Sequence, residues 1–203
     1  MPKLLIALLG AGVVASATFA DSFKVDPMHT EIEFGVRHTG ISTVKGTFNE
    51  FTGDFGYDPA DLSTFRAEAT IQVASVDTRV QPRDEDLRSA NFFDAEKWPE
   101  ITFKTTRAEE NDGKVTLYGD LTIRDVTKEI ALPITIYGPI TDMSGETRVG
   151  FEGATKIDRR DYGITYAGTL AGGDLIIGNE ITIHIICEGV KQVEEAGQAD
   201  PTE

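Results

Sequence analysis

From Glu31 the chain reads EIEFGVRH, with Ile32, Phe34, Val36 and His38 on one parity and Glu31, Glu33, Gly35 and Arg37 on the other. Such period-two alternation places apolar side chains on one face of a strand and polar ones on the opposite face. The signature returns in FRAEATIQVASV, where Phe65, Ala67, Ala69, Ile71 and Val73 share a face, and in ITFKTTR with Ile101, Phe103 and Thr105. It continues through KVTLYGDLTIR (Val115, Leu117, Gly119, Leu121, Ile123), KEIALPITIYG (Ile130, Leu132, Ile134, Ile136), RVGFEGATKI (Val149, Phe151, Gly153) and EITIHIICEG (Ile181, Ile183, Ile185, Cys187).

Two interruptions carry information. In KGTFNEFTGDFGY, Phe48 lies on one parity and Phe51, Phe55 and Tyr57 on the other, so a one-residue slip is expected near Asn49 and Glu50, as in a strand that bends. Pro133 lacks a backbone donor and suggests a ladder that is not fully paired on both sides. With Asn111-Asp112-Gly113 as hairpin chemistry and short polar turns elsewhere, about eight strands indicate an antiparallel meander, closed as a barrel or folded as a sandwich. Ala67, Ala69, Gly119 and Gly153 on inward parities leave room that a filled interior would not.

The segment SVDTRVQPRDEDLRSANFFD breaks the alternation. Pro82 suits the start of a helix, Asp84, Glu85 and Asp86 suit its positive end, and Asp84 can pair with Arg88 one turn later. Leu87, Phe92 and Phe93 give this excursion an apolar side. A short helical cap laid across one end of a β structure is the reading, with Asp77, Arg83 and Arg88 bracing it or standing at a pocket mouth.

Composition narrows the setting. MPKLLIALLGAGVVASATFA has one Lys3, an apolar run from Leu4 to Val14 and a small-residue end, the layout of a secretory signal peptide over residues 1–20. A membrane span would need roughly 20 apolar residues. Residues 21–190 then form one domain, and KQVEEAGQADPTE, without an apolar period, forms a flexible tail over 191–203. The chain carries 19 basic and 34 acidic residues for a net charge of −15, one unit more negative without Lys3. This balance argues against nucleic acid and anionic membrane surfaces as partners. Cys187 is the single cysteine, so no internal disulfide can form, and its apolar strand context reads as a buried, inert thiol.

Candidate chemistry is sparse. His184 and Cys187, three apart on a strand, point to opposite faces and cannot share a metal ion. There is no nucleophile elbow, phosphate loop or dinucleotide fingerprint. His38 extends the inward parity, either as a hydrogen-bonded core residue or as a polar contact for a ligand at the pocket mouth.

Several ordered motifs resemble the YceI-like family of lipocalin-like, polyisoprenoid-binding exported proteins. They are FGVRHTGISTVKGTF with His38, Gly40, Gly46 and Phe48; SVDT; RDEDLRSANFFD; Pro99 to Phe103; GDLTIRDVTKEIALP with Gly119, Leu121, Val126, Thr127 and Lys128; and KIDRRDYGI. The sequence departs from that pattern at Trp98, at Arg124-Asp125 and at Tyr162.

The resemblance implies an all-β fold, an eight-stranded antiparallel lipocalin-like barrel with a short helical cap inserted between strands. It implies a non-enzymatic periplasmic carrier for a polyisoprenoid or similar long-chain amphiphile, such as an isoprenoid quinone. A membrane cytochrome b or quinone system is an implied partner, and the carrier is expected to be a monomer or homodimer. Ile32, Phe34, Val36, His38, Phe48, Phe65, Ala67, Ala69, Ile71, Val73, Phe103, Leu121, Leu132 and Phe151 are expected to line the bound chain, with Phe92 and Phe93 in the cap. The rival readings are an enzyme acting on an apolar lipid, with Asp77, Arg88 or His38 as acid or base, and a packed structural or stress-response protein without ligand.

Overall fold

The computed structural model describes residues 21–192. The strand segments are β1 (Asp21–Val25), β2 (Glu31–His38), β3 (Ser42–Phe48), β4 (Phe51–Asp58), β5 (Asp61–Gln72), β6 (Val76–Asp77), β7 (Glu100–Asn111), β8 (Lys114–Ile123), β9 (Val126–Thr141), β10 (Thr147–Asp158) and β11 (Ile177–Lys191). One helix, α1 (Gln81–Arg88), lies between β6 and β7. The expected leader over residues 1–20 and residues 193–203 of the expected tail lie outside the described residues. Lys191 and Gln192 do not belong to a tail: Lys191 pairs with Phe23, and the Gln192 N–H donates to the Ser22 carbonyl.

These segments make eight staves of a closed antiparallel barrel. β1 and β2 are one stave interrupted by residues 26–30, β3 and β4 a second broken at Asn49 and Glu50, and β5 and β6 a third. The break at Asn49 and Glu50 falls where the aromatic parity slips. β11 closes the ring with both halves of the first stave, pairing Ile181–Ile186 with β2 and Gly189–Lys191 with β1. The short β1 escaped the sequence reading because five residues with Phe23 and Val25 carry little period. Pro133 stands one residue beyond the last β9–β10 pair, Ile134 with Gly153, while β9 stays paired to β8. A missing N–H there breaks no ladder bond.

The alternation resolves into an apolar inside and a charged outside, with exterior cross-strand pairs such as Lys104–Glu68 and Lys45–Glu33. One end of the interior is filled by rings. Phe55 stacks on Phe65 and on Phe23 at centroid distances of 5.8 and 5.2 Å, and both Phe55 and Phe65 meet Phe151 edge-on. Phe23, Phe55, Tyr57 and Phe65 are at most 2% exposed, so this end is sealed. Outside it, the Arg148 guanidinium donates to Asp26, Asp142, Glu146 and Glu188, tying the break after β1 and the β9–β10 hairpin to β11.

The inward glycines do not open space as expected. A Cβ at Gly119 would come within 2.5 Å of the Phe103 ring and 2.7 Å of the Lys104 carbonyl, and one at Gly153 within 2.5 Å of the Pro133 carbonyl. Neighbouring strands press into these positions, so each glycine seats a close approach instead of contributing to a void.

Gly119→Ala should destabilise the protein by about 1–3 kcal/mol in urea unfolding, because neither the ring nor the carbonyl can retreat freely. Hydrogen bonds from His29 and Arg148 hold Asp26 at about 2, below its ordinary 3.8. A depressed carboxyl contributes stability that is complete above its unfolded value and is lost as pH falls through the folded one. The melting temperature should therefore drop between about pH 4 and pH 2, with a shallower acid limb in Arg148→Met.

Candidate functional site: an apolar lumen beneath the cap

Between the aromatic plug and α1 the barrel is not filled. A cavity of about 360 Å³ occupies this half, walled almost entirely by aliphatic and aromatic side chains from β2, β3, β4, β5, β7, β8, β9, β10 and β11. Its volume falls within the roughly 300–1,000 Å³ of small-molecule sites. Phe55, Leu117, Phe151 and Cys187 form its floor against the plug. Burial pushes the Cys187 thiol up to about 12, so the thiol stays protonated and unreactive at neutral pH.

The side chains expected to face the interior divide clearly. Ile32, Phe34, Val36, His38, Phe48, Ala67, Ala69, Ile71, Phe103, Leu121, Leu132 and Phe151 line the cavity. Phe65 does not, because β5 carries it into the plug, where it is stacked between Phe55 and Tyr57. Val73 does not either: β5 ends at Gln72, and Val73 begins a 3-10 turn that buries it beside Val76 in the cap-side core. Two-residue periodicity loses its meaning once the strand ends.

The helical cap is present, with different internal bonding from that expected. Gln81 is the first helical residue and Pro82 the second. Asp84 does not pair with Arg88. Its buried carboxylate accepts from the Thr78 N–H at 2.9 Å and from the Thr78 hydroxyl. Arg88 instead donates to the carbonyls of Ala74 and Val76, bracing the cap on the preceding turn away from the lumen. Asp77 accepts from the Arg79 N–H and also stands off the cavity. Arg83, Leu87, Phe92 and Phe93 do line it. The Arg83 guanidinium is engaged by the Thr78 hydroxyl and carbonyl at 2.7 and 2.9 Å. Phe93 meets Phe48 edge-on, and Phe92 stacks on Tyr166. His38 is exposed while lining the cavity, which marks an opening to solvent beside it.

One wall was missed. After β10 a 3-10 turn, Arg159–Tyr162, and the following Ile164 return over the lumen and pack in one core with Phe92 of the cap. The buried Arg159 donates to the carbonyls of Ile164, Gly178 and Ile177 and to Asn179 Oδ1, with no carboxylate in contact. Its neighbour Asp158 is held instead by Arg160. Tyr162 is 2% exposed. The only local signal was an apolar pair, Tyr162 and Ile164, embedded in charged and glycine residues, too short for a period. Three departures from the family pattern meet here: the Arg124 guanidinium lies 4.3 Å from the Trp98 ring and donates to the carbonyl of Gly163, next to Tyr162.

The structure does not bring together the three residues named as candidate acid or base. Asp77 and Arg88 are turned to backbone, and His38 stands apart from them on β2. Asp26, His29 and Glu188 bring ligand atoms within 4.8 Å of one another, but Arg148 already donates to both carboxylates. A guanidinium supplies there the positive charge that an ion would.

Comparison with known proteins agrees with this geometry. A UPF0312 protein of Vibrio cholerae is 35% identical over 181 residues, covering 86% of this chain and 95% of its own. One from Serratia proteamaculans is 37% identical over 169 residues, covering 81% and 88%. The YceI protein of Campylobacter jejuni superposes with a TM-score of 0.66 at 33% identity, over 77% of this chain and 90% of that one. A polyisoprenoid binding domain from Saccharophagus degradans shares the fold, with a TM-score of 0.60 at 15% identity over 84% and 98%. The YceI-like domain model matches residues 23–188, the whole barrel from β1 to β11, and the chain belongs to that family.

Proposed function

We propose that this protein is a periplasmic carrier that holds one long-chain polyisoprenoid or similar amphiphile in its lumen, without covalent chemistry. The observation that carries this reading is the cavity of about 360 Å³ with an apolar wall, sealed at one end by aromatic rings and capped at the other. The polyisoprenoid binding named for the Saccharophagus domain supports the ligand class, and the leader-like residues 1–20 support export. A membrane quinone or cytochrome b system is the proposed source or destination of the ligand.

The energetics are sufficient. Burying about ten methylene equivalents contributes roughly 8 kcal/mol, near micromolar affinity before ordering costs. A neutral head group such as a quinone fits better than a pyrophosphate. The chain is strongly acidic, and the basic side chains on the wall, Arg83 and Arg159, already donate to protein oxygens.

Native mass spectrometry of protein purified gently from its own periplasm should show one bound long-chain lipid. Filling the lumen with Ala69→Phe should reduce affinity at least about tenfold while circular dichroism stays β-rich. An empty wild-type barrel, or unchanged affinity in the variant, would overturn the carrier reading. At physiological salt a prenyl quinone should bind more tightly than a prenyl pyrophosphate of equal length, and the reverse order would refute the neutral head group.

A further inference from the structure

Two segments beside the lumen opening differ in composition from the rest of the surface. Residues 39–44 and 163–176 together hold a single charged side chain, Asp174, whereas 26% of the whole chain is charged. The two segments are neighbours. The second folds back as a small hairpin, with the Leu170 N–H donating to the Asp174 carbonyl and Thr169 bridged to Leu175. The Thr39 N–H donates to the Ile176 carbonyl at 2.8 Å, and Ile177 pairs with His38, the residue that marks the opening. The Arg37 guanidinium donates to the Gly40 carbonyl and the Thr43 hydroxyl, which fixes the β2–β3 turn.

On these turns apolar side chains face solvent. Ile41 is 84% exposed, Leu170 and Leu175 are exposed, and none of the three lines the cavity. Tyr166, also exposed, stacks on Phe92 of the cavity wall. Scattered exposed apolar residues need no explanation, but several gathered at the mouth of an apolar cavity, with charge withheld from around them, mark an interaction surface.

We infer that this rim docks the protein on a zwitterionic phospholipid bilayer, with Ile41, Leu170 and Leu175 entering the interface. Binding of this kind scales with the apolar area buried, and a charge-poor rim enters at little electrostatic cost. The chain as a whole carries a net charge of −15, and Glu85 and Asp86 of α1 are exposed, so anionic lipid opposes the approach. A second set of exposed apolar residues, which includes Met28 and Met143, stands among Asp26, Asp142, Glu146 and Arg148 at the plugged end, away from the opening. Docking itself does not depend on what the lumen holds. Its use, to pass a lipid between bilayer and lumen without crossing water, rests on the carrier reading above.

Flotation measures how wild-type protein purified from its own periplasm, and variants prepared the same way, partition onto phosphatidylcholine vesicles. Ile41→Asp combined with Leu170→Asp should lower the partition coefficient at least about tenfold, whereas Met143→Asp should leave it within about twofold. Mixing phosphatidylglycerol into the vesicles should weaken wild-type binding. Quinone affinity measured in detergent should be the same within about twofold in the double variant, because both residues stand off the cavity. No wild-type partitioning, an equal loss in Met143→Asp, or tighter binding to vesicles containing phosphatidylglycerol would overturn the docking surface and leave the carrier reading standing. A concentration-dependent wild-type dimer that the double substitution abolishes, with no vesicle binding, would overturn it in favour of a second copy of the chain. Vesicle binding lost in the double variant, with no quinone binding by the wild type, would uphold the docking surface and overturn the carrier reading.

Discussion

The closure of the sheet on itself, through β11 pairing with both halves of the first stave, is the constraint from which the other features follow. A closed ring of eight strands has no free edge, and its circumference fixes an interior too narrow for two layers of side chains. Every inward position from β1 to β11 then looks into one shared space. What distinguishes the two halves is the size of the side chains placed there. Phe23, Phe55, Tyr57, Phe65 and Phe151 fill one half, whereas Ala67, Ala69 and a row of isoleucines leave the other open.

Around this frame the polar groups work mainly as ties. Arg148 gathers four acids at the plugged end, and Arg83, Asp84 and Arg88 fasten α1 to the segment before it. Arg159 fastens the turn after β10 through carbonyl oxygens alone. A buried guanidinium held this way keeps its charge in a setting where burial disfavours it, at a cost spread over several backbone dipoles. The result is an apolar chamber whose two wall cations, Arg83 and Arg159, are held by protein oxygens.

Much of this was readable from the chain because strand parity is a local property. Inward residues of β2, β7, β8 and β10 were legible, and so was the bend at Asn49 and Glu50, since a parity slip leaves a trace in aromatic spacing. Phe65 and Val73 were misplaced for different reasons. Parity gives a direction but no height in the barrel, which decides between plug and lumen, and it ends where β5 ends. Gly119 looked like empty space because sequence does not show which ring from the next strand lies over it. Tyr162 was visible only as a departure from a family pattern, since the short turn that buries it carries no period.

The aromatic plug gives the lumen a direction of traffic. A tube open at both ends lets an incoming molecule displace a resident one by pushing it through. One sealed by Phe23, Phe55, Tyr57 and Phe65 allows only reversal along the path of entry. A chain that went in tail first must come out head first, past the cap and the opening at His38. For the carrier proposed above, any acceptor of the cargo would have to face that one rim. In that reading, the time a molecule stays inside would be set by how readily the cap side yields, whatever the concentration of cargo waiting outside.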